Sequence, residues 1–223
     1  MTDTCSFDLN CRRCPRLATF LDQVGKEYPD YHARPVAPFG DPNPRLLIVG
    51  LAPGMHGANA SGRPFTGDYA GILLYNTLFK FGYASAPESI SSTDGLTLTG
   101  CRITNAVKCL PPQNKPLTEE IRVCNDFLAA EIRALPEATV IMALGTIAHQ
   151  AVLRAMGLKL SAHKFGHGAE HALPGGQRLI DSYHCSRYNT QTKRLTEAMF
   201  HAVFERIAEL TEAGSLINKA ASA

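Results

Sequence analysis

The chain of 223 residues carries 22 Lys and Arg against 20 Asp and Glu, is 45% hydrophobic and 19% charged, and contains 18 Gly, 14 Pro and 7 Cys. That length and balance describe one globular domain over residues 1–223, with a core from about 11 to 210, and exclude wholesale disorder and a collagen-like fibre. A formal net charge of +2 gives no uniform field for a polyanion, so any nucleic-acid surface has to be a local patch.

In chain order, apolar spacing predicts a helix over residues 15–26, a strand over 46–51, a helix over 69–81 and a strand over 103–107. A helix over 118–135, a strand over 140–144, a helix over 146–156, a strand over 179–183 and a helix over 190–210 follow. Strands alternating with helices imply an α/β fold, a parallel sheet with helices on both faces. Ligands of such sheets sit beyond the carboxyl ends of the strands, so chemistry is expected in the loops after Leu51, Val107, Leu144 and Tyr183. Residues 85–99 are Ser/Thr-rich and read as a surface loop, and 213–223 are expected to fray.

No run approaches the roughly 18 apolar residues that cross a bilayer, and MTDTCSFDLN lacks the basic start and apolar stretch of a signal peptide. A soluble, cytoplasmic monomer without membrane contact is therefore expected. In such a chain an odd number of cysteines argues against a disulfide framework and for metal or cluster ligation. Cys11 and Cys14 form C-x2-C before a helix, and Cys109 and Cys124 form C-x14-C across a proline-rich loop. Two such pairs suit one four-thiolate site holding zinc or a 4Fe–4S cluster, and spacing does not choose between them. Buried free thiols are the plainer alternative. Cys101 reads as core, and Cys5 lies close enough to Cys11 to be mistaken for a ligand.

After the first predicted strand comes GLAPGMHGANASGRPFTGDYAG, residues 50–71, whose glycines let backbone N–H groups approach a ligand. It lacks the GK[ST] ending of a phosphate-binding P-loop and the Rossmann spacing. Together with TNAVKCLPPQNK (104–115) and SYHCSRYNTQTKRLT (182–196), it resembles the uracil-DNA glycosylase superfamily, most of all family 5, the type b enzymes of bacteria and archaea. The resemblance runs from about residue 11 to about residue 210. It implies a four-stranded parallel sheet between helices and a 4Fe–4S cluster on Cys11, Cys14, Cys109 and Cys124. The implied activity is monofunctional excision of uracil, hypoxanthine, xanthine or modified pyrimidines from double- or single-stranded DNA, leaving an abasic site.

Such an enzyme has to hold a flipped base and stabilise both a cationic sugar and an anionic leaving base. The resemblance assigns stacking to Phe65, reading of the base edge to Asn105, and a hydrogen bond to the leaving base to His184. Gly50, Leu51, Ala52 and Gly54 then belong to the base-binding wall. Other branches of the superfamily carry a carboxylate or amide where Leu51 stands, so water positioning passes to Asp68, which precedes a helix and is equally well placed as its N-cap. Cys185 stands where the family has Pro, which loosens the backbone after His184. Arg63, Arg187, Lys193 and Arg194, with Ser186, Asn189 and Thr190, read as phosphate contacts, and Tyr188 as a wedge for the vacated stack. His163, His167 and His171 recur every four residues, but Gly166 and Gly168 interrupt any helix, so they read as loop residues near the site rather than a zinc site. Competing readings are a lesion-binding protein of the same fold that does not cleave, and a zinc-stapled nucleic-acid-binding module.

Overall fold

The computed structural model describes residues 7–221, with side chains as far as Thr211; Cys5 lies outside the described residues. The first helix, α1 (Pro15–Glu27), starts on the proline whose missing N–H a helix does not need there, and buries Leu17, Leu21 and Val24 along one stripe. Strand β1 (Phe39–Gly40) precedes β2 (Leu46–Gly50), every residue of which is buried. A short helix α2 (Ala58–Ser61) leads to α3 (Tyr69–Lys80), followed by β3 (Cys101–Asn105) and α4 (Thr118–Arg133). The chain closes with β4 (Val140–Leu144), α5 (Thr146–Ala155), β5 (Glu170–Ala172), β6 (Arg178–Ser182), α6 (Arg187–Gln191) and α7 (Glu197–Ala221).

The strand order is β1-β3-β2-β4-β6-β5. The inner four strands are parallel, with Ile48 opposite Ile103 and Met142, and Met142 opposite Ile180. The expected four-stranded parallel sheet is thus the centre of a six-stranded mixed one, because β1 and β5 add antiparallel edges. These edges are two and three residues long, too short to show an alternating pattern, and short edges offer little to a foreign strand.

Successive residues of each strand face opposite layers. Leu47, Val49 and Ile141 pack with Leu17 and Leu21 of α1, Phe127 and Leu128 of α4 and Val152 of α5. Leu46, Ile48 and Met142 pack with Leu74 and Leu78 of α3 and Phe200 and Phe204 of α7. Burial on both faces is why the inner strands read as continuous apolar runs.

The single helix expected over 190–210 is two. Ser186 caps α6 by accepting the Asn189 N–H at 3.4 Å, and the chain then turns at Lys193, whose φ is 56°, before α7 starts. Helix α7 continues to Ala221, through a segment expected to fray. No helix is long and apolar enough to cross a membrane among the described residues.

Candidate active site and cysteine pocket

A cavity of about 420 Å³ opens at the carboxyl ends of the parallel strands. The loop after β2 supplies Leu51, Ala52 and Gly54, the turn before α3 supplies Phe65 and Asp68, and β3 supplies Asn105 from its last position. Gly145, Thr146 and Ile147 come from the amino end of α5, and His184 and Ser186 from the loop after β6. Gly50 lies beneath this wall. A Cβ there would stand 2.4 Å from Asn105 Oδ1 and 2.7 Å from Phe65 Cζ, so only glycine lets both side chains take these positions.

Asn105 is 3% exposed and its Oδ1 is buried without a hydrogen-bond partner. His184 is half-buried, its Nδ1 is buried, and that atom too has no partner in the protein. Burial holds the His184 pKa down to about 4, so the ring is neutral at pH 7. Two polar atoms withdrawn from water with nothing to bond define a place that a polar ligand completes.

Phe65 has φ 56°, an uncommon conformation for a residue with a side chain. The surroundings hold it there: the Tyr75 hydroxyl donates to the Pro64 carbonyl at 2.8 Å, and a Cβ on Gly71 would lie 1.8 Å from the Phe65 carbonyl oxygen. Asp68 caps α3 through Oδ1, which accepts the Gly71 N–H at 2.9 Å. Its Oδ2 lies against the first loop, 3.8 Å from a Cβ built on Gly54, and burial raises the pKa of the carboxyl against the opposing effect of the backbone N–H groups. The helix cap and the cavity wall are therefore the same residue.

Of the expected basic contacts, Arg187, Lys193 and Arg194 are exposed together with Tyr188, which is 70% exposed. The Arg187 guanidinium lies 5.7 Å from the Tyr69 ring and that of Arg194 lies 4.8 Å from the Tyr183 ring. Ser186 and Asn189 are occupied within the protein, the first as the α6 cap and the second donating to the His184 carbonyl at 2.8 Å. The Thr190 hydroxyl bonds to the Ser186 carbonyl. Arg63 is turned inward: it is 6% exposed, donates to Asp94 at 2.7 Å and to the Ser92 carbonyl at 2.9 Å, and lies over the Phe39 ring. The 85–99 segment, expected to be only surface, thereby holds the turn that carries Phe65.

Against α1 and α4, Cys11, Cys14, Cys109 and Cys124 line one small pocket with Lys108, Leu17 and Phe127. The Lys108 N–H donates to Cys124 Sγ at 3.3 Å. Burial pushes the Cys14 thiol up to about 11, with Cys124, Glu120 and Cys11 adding to it, and Cys109 is raised by burial and by its three neighbouring cysteines. Four thiols lining one pocket are the donor set that a thiolate-bound cluster takes, although their sulfurs are not at the single-ion spacing that His149, His171 and Asp181 show. Cys101 and Cys185 lie in the core beneath α3 and α7 instead.

Spacing singled out His163, His167 and His171 as loop residues. His171 in fact lies in β5, and His167 Nδ1 accepts the Tyr183 N–H at 3.2 Å, next to His184. The loop after Leu144, where chemistry is expected, does reach the cavity as the amino end of α5, but no residue of it is singled out from sequence, nor is His149, which bonds Asp181 Oδ1 at 2.8 Å.

The fold and this site define an α/β protein with a cavity at the carboxyl ends of its parallel strands, lined by Phe65, Asn105 and His184. The chain belongs to the uracil-DNA glycosylase superfamily, whose family model, described as Uracil DNA glycosylase superfamily, matches residues 37–208. It is 51% identical over 195 residues to a type-5 uracil-DNA glycosylase of Thermus thermophilus, covering 85% of this chain and 89% of that one. It is 41% identical over 212 residues to a type-5 uracil-DNA glycosylase of Pyrobaculum aerophilum, covering 93% and 91%. A type-4 uracil-DNA glycosylase of Thermotoga maritima is 33% identical over 148 residues.

Proposed function

We propose that this protein removes uracil from DNA by hydrolysing the bond between base and sugar, leaving an abasic site. The observation that carries the reading is that Asn105 and His184, each with a buried polar atom that has no hydrogen-bond partner in the protein, line one cavity with Phe65. The type-5 relatives support it by what their names say they act on.

Uracil pulled from the stack presents an N–H beside a carbonyl, and the Asn105 amide offers an acceptor beside a donor. Phe65 stacks on the ring. As the bond breaks, negative charge gathers on the base, and the neutral His184 imidazole donates a hydrogen bond to it. The amino end of α5, at Thr146 and Ile147, adds the positive end of a ten-residue helix to the same cavity. Leu51 takes up no proton, so the carboxylate of Asp68 that caps α3 also orients the attacking water. The same pocket admits hypoxanthine, xanthine or modified pyrimidines, a breadth that a panel of single-lesion duplexes tests.

Cys11, Cys14, Cys109 and Cys124 hold a 4Fe–4S cluster in this reading, which when bound supplies a cross-link between the amino-terminal segment, the loop after β3 and α4. Arg187, Lys193 and Arg194 engage phosphates, with Tyr188 entering the gap left by the flipped base. A single-turnover assay on a duplex containing one uracil tests the reading. Base release establishes it. Tight binding without release, for which Leu51 and Cys185 are the argument, makes this a lesion-binding protein.

A further inference from the structure

Beneath the cavity, His149 on α5 reaches Asp181 on β6, both buried, 2% and 0% exposed. The ring of His149 has two partners. Nε2 lies 3.0 Å from the His163 carbonyl, which can only accept, so Nε2 carries a proton. Nδ1 lies 2.8 Å from Asp181 Oδ1, the length of a charge-assisted hydrogen bond, and two lone pairs do not meet at that distance. One proton therefore lies between Nδ1 and Oδ1, and because the Gly166 N–H donated to Oδ2 favours the carboxylate form of Asp181, that proton belongs to the ring and His149 is an imidazolium. Burial opposes the charge, but the Asp181 hydrogen bond and carboxylate outweigh it and raise the His149 pKa.

The rest of the neighbourhood is arranged around the carboxylate. Asp181 Oδ2 accepts the Gly166 N–H at 3.3 Å and faces His171 Nε2 at 3.2 Å, and the His149 ring is flanked by the rings of His171 and Phe165. The donor atoms of His149, His171 and Asp181 lie within 4.8 Å of one another, so a metal ion is the rival cation to the proton. The proton is favoured because both His149 nitrogens and both Asp181 oxygens already have partners.

Both ends of this pair lead to His184. Asp181 is three residues before it on β6. His149 stands on the first turn of α5, its N–H bonded to the Gly145 carbonyl at 3.1 Å. The Gly145 N–H in turn bonds the Ser182 carbonyl at 2.8 Å, and a Cβ on Gly145 would lie 3.6 Å from the His184 Cβ. We propose that His149 and Asp181 are a positioning pair for His184: the buried ion pair ties the amino end of α5 to the end of β6 and so sets where the His184 ring sits in the cavity. The inference rests on the uracil-excision reading given above.

The test combines rates with the protonation state. His149→Gln is expected to slow single-turnover release of uracil about tenfold, and by no more than about twofold when added to His184→Ala, with duplex affinity unchanged in both, since coupled residues are non-additive. Equal slowing in the two backgrounds overturns the positioning role. Should His149→Gln not fold, Asp181→Asn takes its place in the same cycle. Independently, nitrogen-15 NMR of the unsubstituted protein is expected to show both His149 ring nitrogens protonated at pH 7. A neutral His149, or one zinc bound per chain at His149 and His171 after dialysis against zinc, overturns the ion pair. Absence of uracil release by the unsubstituted protein overturns the functional reading and the positioning role together, an outcome distinct from a neutral His149 or additive rates.

Discussion

Phe65 and His184 face each other across the cavity with ring centroids 6.0 Å apart and planes inclined by 29°. One ring comes from the turn before α3 and the other from the loop after β6, so their near-parallel approach is a product of the whole fold. Gly50, at the end of β2, lets Phe65 and Asn105 come together by having no side chain between them.

Gly50→Ala should therefore damage the site more than the fold. The added methyl group collides with Asn105 and Phe65, whose displacement uncouples stacking from base reading. We expect release of uracil to fall by about 10²-fold, the cost of a displacement of about 1 Å at a reacting centre, with cooperative unfolding retained. A variant as fast as the parent would show that Asn105 and Phe65 are not needed where they stand.

Asp68 separates into two roles by substitution. Asp68→Asn keeps an oxygen for the Gly71 N–H, so thermal stability should change little while release of uracil collapses. Asp68→Ala should in addition lose about 0.5–2 kcal/mol of stability, the usual value of an N-cap. Full activity of Asp68→Asn on uracil would leave Asp68 as a cap alone.

His184 and His149 act on stability with opposite signs. His184 titrates at about 4 in the fold against an ordinary value near 6.5, so between those values the unfolded chain binds a proton that the native state refuses. Stability should fall as pH is lowered through that window, and fall less in His184→Ala. His149 has a raised pKa, so its contribution is complete below about 6.5 and is lost as pH rises through the folded value. Melting temperature against pH for the parent and His184→Ala checks the first, and the same comparison with His149→Gln checks the second. An identical acid limb in the two proteins would contradict the burial of a neutral His184.

The inner strands were legible because burial on both faces leaves unbroken apolar runs such as Leu46 to Val49, whereas Asn105 and His184 were found through the family resemblance: the apolar run continues past Asn105 through Ala106 and Val107, so the pattern alone puts it inside a strand that in fact ends there. What was not legible depends on partners far along the chain. Arg63 reads as an exposed base in a glycine loop, yet Asp94 and Phe39 draw it inside, and no local pattern announces either. His149 looks like any polar residue on a helix until β6 brings Asp181 against it. The edge strands β1 and β5 are too short to carry a period.

Iron content tests the cysteine pocket. Cys11→Ser, Cys14→Ser, Cys109→Ser and Cys124→Ser should each lose iron and the broad visible absorption of a thiolate-bound cluster, whereas Cys101→Ser and Cys185→Ser should keep both. Stoichiometric zinc in place of iron in anaerobically purified protein would make the site a zinc staple.

The most direct measurement is single-turnover release of uracil from a duplex carrying one uracil, scored as alkali-labile abasic strand, for the parent, Asn105→Ala and His184→Ala. The parent should convert the substrate fully and leave the strand intact before alkali. Each variant should be slower by about 10²–10³-fold while binding the duplex nearly as well, because both side chains act on the base as charge develops. A parent that binds the duplex without releasing uracil, or variants that lose binding and rate in equal measure, would contradict the account.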